Sequence, residues 1–416
     1  MSVPPRQERE SQTDSAYSWL RLVIAVVVST IGSIGLWSIV VALPAVQVEF
    51  GVPRAGASLP YATTMIGLVF GSILMGRLSD RAGIVVPVVV GALALGLGYI
   101  AVAFSGSIWI FAVIHGVAIG MFGSAAMFGP LIADTSLWFE RRRGLAIALV
   151  ASGNYIAGTI WPPIIEHFIA TEGWRQTHIG IGLVCMATLL PLALLLRRPP
   201  PPQKPVAQTS GNGDAGTALG LSPNVTQGLL VIAGLACCVA MSMPQVHIVA
   251  YCVDLGYGPA RGAEMLALML GFGTVSRLAS GWILDRIGGL PTLILGSVLQ
   301  AIALALYLPF NGLASLYVIS AVFGLVQGGI VPSYPFIVRE LFPAKEAGFR
   351  VSLALASTLA GMALGGWLSG AIFDATGSYK VALLNGIGWN LVNISIAFWL
   401  LQRMWRRRLL GPAGAR

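Results

Sequence analysis

The chain has 416 residues, of which 56% are hydrophobic and only 10% charged, with a formal net charge of +9 and a mean hydropathy of +0.81. Soluble globular domains carry about 25% charged residues, so an ordinary soluble domain is excluded. The positive charge does not point to nucleic acid either. It sits in loops between apolar stretches instead of forming one basic face.

Residues 1–19 are polar, carry both charge signs and lack the short apolar core of a signal peptide; they read as a cytoplasmic N-terminal segment. Twelve apolar spans are then predicted, at roughly 20–43, 58–77, 84–104, 108–132, 144–165, 177–196, 227–251, 263–284, 290–309, 313–338, 350–373 and 380–402. The Pro-, Gly- and Ser-rich stretch at 197–226 has no core-forming pattern and reads as a cytoplasmic linker. It separates six spans in 20–196 from six in 227–402, and a basic tail at 403–416 follows. The expected fold class is therefore an all-α integral membrane protein with 12 transmembrane helices in two six-helix bundles.

The four cysteines, Cys185, Cys237, Cys238 and Cys252, lie in or at the ends of apolar segments with no metal-ligand spacing and no CxxC pair. They read as small buried side chains. No nucleophile–base set, metal cluster or phosphate-binding loop is visible, so neither an enzyme nor a cofactor or metal is expected.

Counting Lys and Arg sets the orientation. If the termini, the linker and the even-to-odd loops share one side, that side holds 20 of the 25 basic residues and the other side 4: Arg54, Arg175, Arg261 and Lys380. The remaining one is Arg277, inside a span. This asymmetry predicts both termini in the cytoplasm.

The halves also repeat. GRLSDRAG follows the second span and GWILDRIGG the eighth, so that Gly76, Asp80, Arg81 and Gly83 match Gly281, Asp285, Arg286 and Gly288 at one offset of 205. Such a loop, with an Asp at a helix end and adjacent Arg, suits a conformational gate whose ion pairs break and re-form. Two parallel six-helix repeats with this loop resemble the major facilitator superfamily.

Four further stretches resemble the monocarboxylate transporter and oxalate/formate antiporter group within it. WFERRRGLAIALVASG at 138–153 is similar to the group's motif before the fifth helix, with Phe139, Arg142, Arg143, Leu145, Ala146, Ala148 and Gly153 fitting directly. DSAYSW at 14–19 is similar to its motif before the first helix, with Asp14 and Trp19 kept. VHIVAYCVDLGYG at 246–258 and the Arg277 segment resemble the seventh and eighth helices of bacterial members. The resemblance implies that His247 and Arg277 face the substrate, that Arg142 and Arg143 join Asp80, Arg81, Asp285 and Arg286 in the cytoplasmic gate, and that the membrane is a bacterial inner (plasma) membrane.

Arg277 has no acidic residue within seven positions on either side and lies eight residues before Asp285. That puts it roughly 12 Å inside the helix end, where lipid exposure costs at least ~2.5–3.5 kcal/mol. It should face protein or water, and Gly273, Thr274, Ser280 and Gly281 around it are small enough to leave room. Its fork suits a substrate carboxylate. A single intramembrane cation favours one carboxylate over two, so the expected partner is a small organic monoanion.

His115, Asn154 and Tyr334 are further candidate substrate-binding residues, Tyr334 because Pro332 and Pro335 should interrupt its helix. Gly116, Gly120 and Gly123 read as close helix contact. Where the vertebrate-type carriers have a Lys and an Asp thought to carry the proton, this chain has Leu43–Ala45 and Gly273. Uniport, anion exchange and a proton step on His247 all stay open, so the co-transported proton or counter-anion is not assigned. The expectation is a carrier that works as a monomer. Two other readings are a facilitator-type drug/proton antiporter and a non-transporting substrate sensor. The first lacks an acid in the first helix, and the second lacks a signalling domain.

Overall fold

The computed structural model of the chain describes residues 13–201 and 219–410. Most of the predicted linker, the first twelve residues and the last six lie outside the described residues. Among the described residues there is no strand, and eleven helical segments are long and apolar enough to cross a membrane. One of them, Arg143–Leu195, has 53 residues, roughly 80 Å of helix at 1.5 Å per residue, against a bilayer core of about 30 Å. It breaks at Gly173, whose φ of 82° and ψ of 158° are not helical. Spans 5 and 6 are its two arms, so the eleven segments make twelve crossings.

Several spans are interrupted, and neighbouring side chains take up the backbone groups that each interruption frees. Span 1 divides at Ser33 into Ala16–Gly32 and Ile34–Phe50. The hydroxyl of Ser124 donates to the carbonyl of Gly32 at 2.9 Å. Span 4 passes from α-helix (Ile108–Ile114) into a π-helical stretch (His115–Gly123) and a 3-10 turn (Ser124–Met127). Gly116 and Gly120 there lie against Thr63 and Thr64 of span 2, with no space for a Cβ. The glycine run is indeed a close helix contact.

Span 10 was expected to break at its prolines. It breaks instead at Gly328–Gly329, between Leu313–Gln327 and Ile330–Leu341. Pro332 falls in the first turn of the second piece, where a missing N–H is harmless. Pro335 sits inside the same helix.

The two copies of the repeated loop share a conformation. Gly83 has φ 74° and ψ 172°; Gly288 has φ 85° and ψ 173°. That region of backbone space is essentially reserved for glycine.

Two compact units form, one of Met1–Ala207 with Val249–Leu270 and the other of Gln208–Ile248 with Gly271–Arg416. The end of span 7 and the start of span 8 thus group with the first six spans.

Candidate functional site

Arg277 belongs to the helix Pro259–Ile287. The residue is half-buried and its Nε is shielded from solvent. Its backbone is held tightly by the interruption in span 10. A Cβ placed on Gly328 would lie 2.6 Å from the Arg277 nitrogen, 2.7 Å from the Gly273 carbonyl oxygen and 2.8 Å from Ser276 Cβ. One on Gly329 would lie 2.2 Å from Ser280 Oγ. The Gly328 N–H donates to Ser276 Oγ at 3.2 Å. Gly273 and Ser280, expected to leave room beside the guanidinium, are therefore occupied by helix contact. Thr274 is half-buried, and Gly281 has nothing within 4 Å of an added Cβ.

The other sequence-predicted residues are spread over both units. His247 is fully buried, with Nε2 2.7 Å from the Gly366 carbonyl and Nδ1 3.0 Å from the Tyr379 hydroxyl. Both ring nitrogens are thus engaged by protein, which fixes the ring orientation. Tyr334 is also fully buried. Its hydroxyl donates to Asn393 Oδ1 at 3.1 Å, and Asn393 Nδ2 donates to Ser297 Oγ at 2.7 Å. His115 lies in the first unit, stacked on Phe111 at 4.8 Å and near the rings of Tyr99 and His178. Asn154 is half-buried; the indole N–H of Trp37 meets both its carbonyl and its Oδ1 at 3.0 Å. Trp37 is thus both a buried side chain and a hydrogen-bonding partner.

Among the gate candidates, Asp80, Arg81, Asp285, Arg286, Arg142 and Arg143 are all exposed. The Arg286 guanidinium lies 3.9 Å over the Trp282 ring, and Arg143 donates to Ser136 Oγ at 3.2 Å. Arg142 lies 5.7 Å from the Trp19 ring centre.

The two motifs with a monocarboxylate-transporter pattern, separate in sequence, meet in space. Asp14 Oδ2 accepts from the backbone N–H groups of Glu140 and Arg141 at 3.1 and 3.0 Å. Its own N–H donates to the Trp138 carbonyl at 3.1 Å. Tyr17 packs on Trp138 and Trp19 on Phe139, with ring centres 5.3 and 5.2 Å apart. The N-terminal segment is thereby clasped to the loop before span 5.

Three pairings escaped the sequence reading. Arg21, near the start of span 1, forms a two-pronged pair with Asp134 of span 4, at 3.0 and 3.1 Å, with both side chains buried. Arg54 pairs with Asp254 at the end of span 7 at 2.9 Å, the two being 8% and 29% exposed. Gln245 and Gln327 bond to each other at 2.7 Å in the interior of the second unit. A polar side chain in or near an apolar stretch was the available signal; the partner, about 80 to 200 residues away, was not.

The family model described as Major Facilitator Superfamily matches residues 25–315 and 269–410. The chain belongs to the Major Facilitator Superfamily. Among its curated relatives, the MFS transporter asaE of Aspergillus flavus is 25% identical over 260 residues, 61% of this chain and 57% of that protein. This facilitator thus spans little more than half the length of that relative. Monocarboxylate transporter 13 of Rattus norvegicus is 26% identical over 334 residues, covering 79% of this chain and 75% of the rat protein. The resemblance to the monocarboxylate transporter group holds. In fold, the facilitator is similar to a crystal structure of a mutant nucleoside transporter NupG, with a TM-score of 0.73 at 16% identity over 93% of this chain and 99% of that one.

Proposed function

We propose that this facilitator carries small organic monoanions with a single carboxylate, by alternating access of its two halves, and that Arg277 binds the carboxylate. The observation that carries the reading is the placement of Arg277. It is a half-buried guanidinium in the middle of span 8, with its backbone pinned against the glycine pair of span 10. A planar guanidinium fork can take a carboxylate through two parallel N–H···O bonds, which are strong where water is scarce. The likeness to a protein named as a monocarboxylate transporter supports the same substrate class.

In this reading Asn154, held by Trp37, is a substrate contact contributed by the first unit, where the buried His115 braces its own helices, and the buried His247 and Tyr334 brace those of the second unit. The repeated loops with Asp80, Arg81, Asp285 and Arg286, together with Arg142 and Arg143, form the cytoplasmic gate. In this reading both termini lie in the cytoplasm, which the 20-to-4 division of basic residues supports. The position of the family's acid in span 8 is Gly273, whose carbonyl packs on Gly328. Coupling through an acid at that point is closed to this chain.

The test is uptake into proteoliposomes of labelled lactate, pyruvate, acetate, formate, oxalate and 2-oxoacids, with and without a pH gradient and internal counter-substrate. Arg277→Ala is expected to abolish carboxylate uptake while the protein stays folded. Arg277→Lys, which keeps the charge but loses the fork, is expected to lose at least tenfold, about 1.4 kcal/mol. Unchanged kinetics in Arg277→Ala would sink the proposal.

A further inference from the structure

Gln245 of span 7 and Gln327 of span 10 are 2% and 0% exposed. They share one hydrogen bond, from Gln245 Nε2 to Gln327 Oε1 at 2.7 Å. Among the described residues, Gln245 Oε1 and Gln327 Nε2 are buried with no hydrogen-bond partner. One bond between two amides always leaves one amide with an unused carbonyl and the other with an unused NH2. Turning both amides over exchanges which residue offers which, and the pair still presents one donor and one acceptor.

Other amides in the same unit are better satisfied or lack only an acceptor's partner. Asn393 uses both ends, accepting from Tyr334 and donating to Ser297. Gln300 and Asn390 keep their NH2 groups bonded, to the carbonyls of Cys237 and Ser297, and leave only an oxygen over. Orphaned buried N–H groups are the rarer kind. A helix crosslink alone does not call for two long amides that leave a donor and an acceptor unused side by side.

Position connects the pair to Arg277. Gln327 is the residue before Gly328, which packs on the Arg277 backbone and bonds to Ser276. Gln327 therefore sits at the depth of Arg277, turned about 100° around the helix axis toward span 7, where Gln245 meets it.

We infer that Gln245 and Gln327 determine specificity: they bind the hydroxyl of a hydroxyl-bearing monocarboxylate whose carboxylate is held by Arg277. A hydroxyl donates and accepts, and so satisfies both unused amide functions. A ketone oxygen can only accept and leaves the amide carbonyl unpaired. A methylene does neither. The pair is covered in this conformation, so binding of the hydroxyl requires span 10 to open at its Gly328–Gly329 interruption during transport. The inference rests on the reading of Arg277 as the carboxylate ligand.

The experiment compares three acids of one skeleton, 2-hydroxypropanoate, 2-oxopropanoate and propanoate, in competition uptake by the full-length protein in proteoliposomes. Wild type is expected to favour the hydroxy acid by at least about tenfold, since a site built for a hydroxyl rejects analogues without one. Gln327→Leu and Gln245→Leu are expected to remove that preference while propanoate uptake stays within about twofold. Wild type that does not discriminate between hydroxy acid and propanoate overturns the inference, whatever the variants' folding. An equal fall for all three acids, or an unchanged order of preference in both variants, also overturns it, leaving the pair a scaffold or a seat for resident water only. Arg277→Ala separates the two ideas. If it keeps propanoate uptake, the Arg277 reading fails; if it loses all three acids while the Gln variants change nothing, only the present inference fails.

Discussion

Gly328→Ala tests whether span 10 positions the Arg277 backbone. The added methyl would meet the Arg277 nitrogen at 2.6 Å, the Gly273 oxygen at 2.7 Å and Ser276 Cβ at 2.8 Å. Ordinary contact needs ~3.5–4.0 Å. None of the three atoms is the free end of a flexible side chain, so spans 8 and 10 must separate by most of an ångström. The Gly328–Ser276 hydrogen bond, already 3.2 Å, would stretch out of range. Overpacking of this kind costs about 1–3 kcal/mol. If the cost falls on the substrate-bound state, KM for the carboxylate should rise roughly 5- to 140-fold, at about 1.4 kcal/mol per decade. The assay is initial-rate uptake across a substrate series, beside the thermal midpoint of the purified protein. Gly388→Ala is the control, since an added Cβ there has nothing within 4 Å and alanine is the better helix former. A Gly328→Ala protein with wild-type KM and midpoint would refute the argument, because it would mean that the two spans are not in register at this point.

The repeated loops give a paired prediction. Gly83→Ala and Gly288→Ala each force a side chain into backbone at φ 74° and 85°, at a cost of about 1–3 kcal/mol. Both should lower the thermal midpoint by similar amounts, and a neutral result at either would show that the two loops are not equivalent. For the Arg54–Asp254 pair, 8% and 29% exposed, the loss on breaking it should fall between the ~1 kcal/mol of an exposed pair and the ~3–5 kcal/mol of a buried one. Asp254→Asn should be costlier than Arg54→Ala, since it leaves the more buried guanidinium without its carboxylate. Wild-type melting and turnover in Asp254→Asn would show that the pair holds nothing.

What the sequence disclosed and what it hid follow one physical division. Quantities local to the chain were legible. The twelve spans came from apolar length, the internal repeat from the 205-residue offset, and the helix-contact role of Gly116 and Gly120 from spacing alone. Arg277 stood out because a charge at its depth is costly wherever it points. Pairings across the chain were not legible, because nothing in Arg21 or Gln327 announces Asp134 or Gln245. The misplaced break in span 10 belongs to the same class. Prolines are the conspicuous local breakers, yet Pro332 and Pro335 lie within a continuous helix, while Gly328 and Gly329 interrupt it through what they contact on span 8. The contact is also what relates the two motifs shared with the monocarboxylate transporters. Asp14 is useful at its position because its carboxylate accepts from Glu140 and Arg141 across 126 and 127 residues, and Trp19 because it packs on Phe139. A motif before span 1 and a motif before span 5 are therefore the two sides of one clasp. A change on either side, such as the loss of the Asp14 carboxylate, acts on the loop that begins span 5 and carries Arg142 and Arg143.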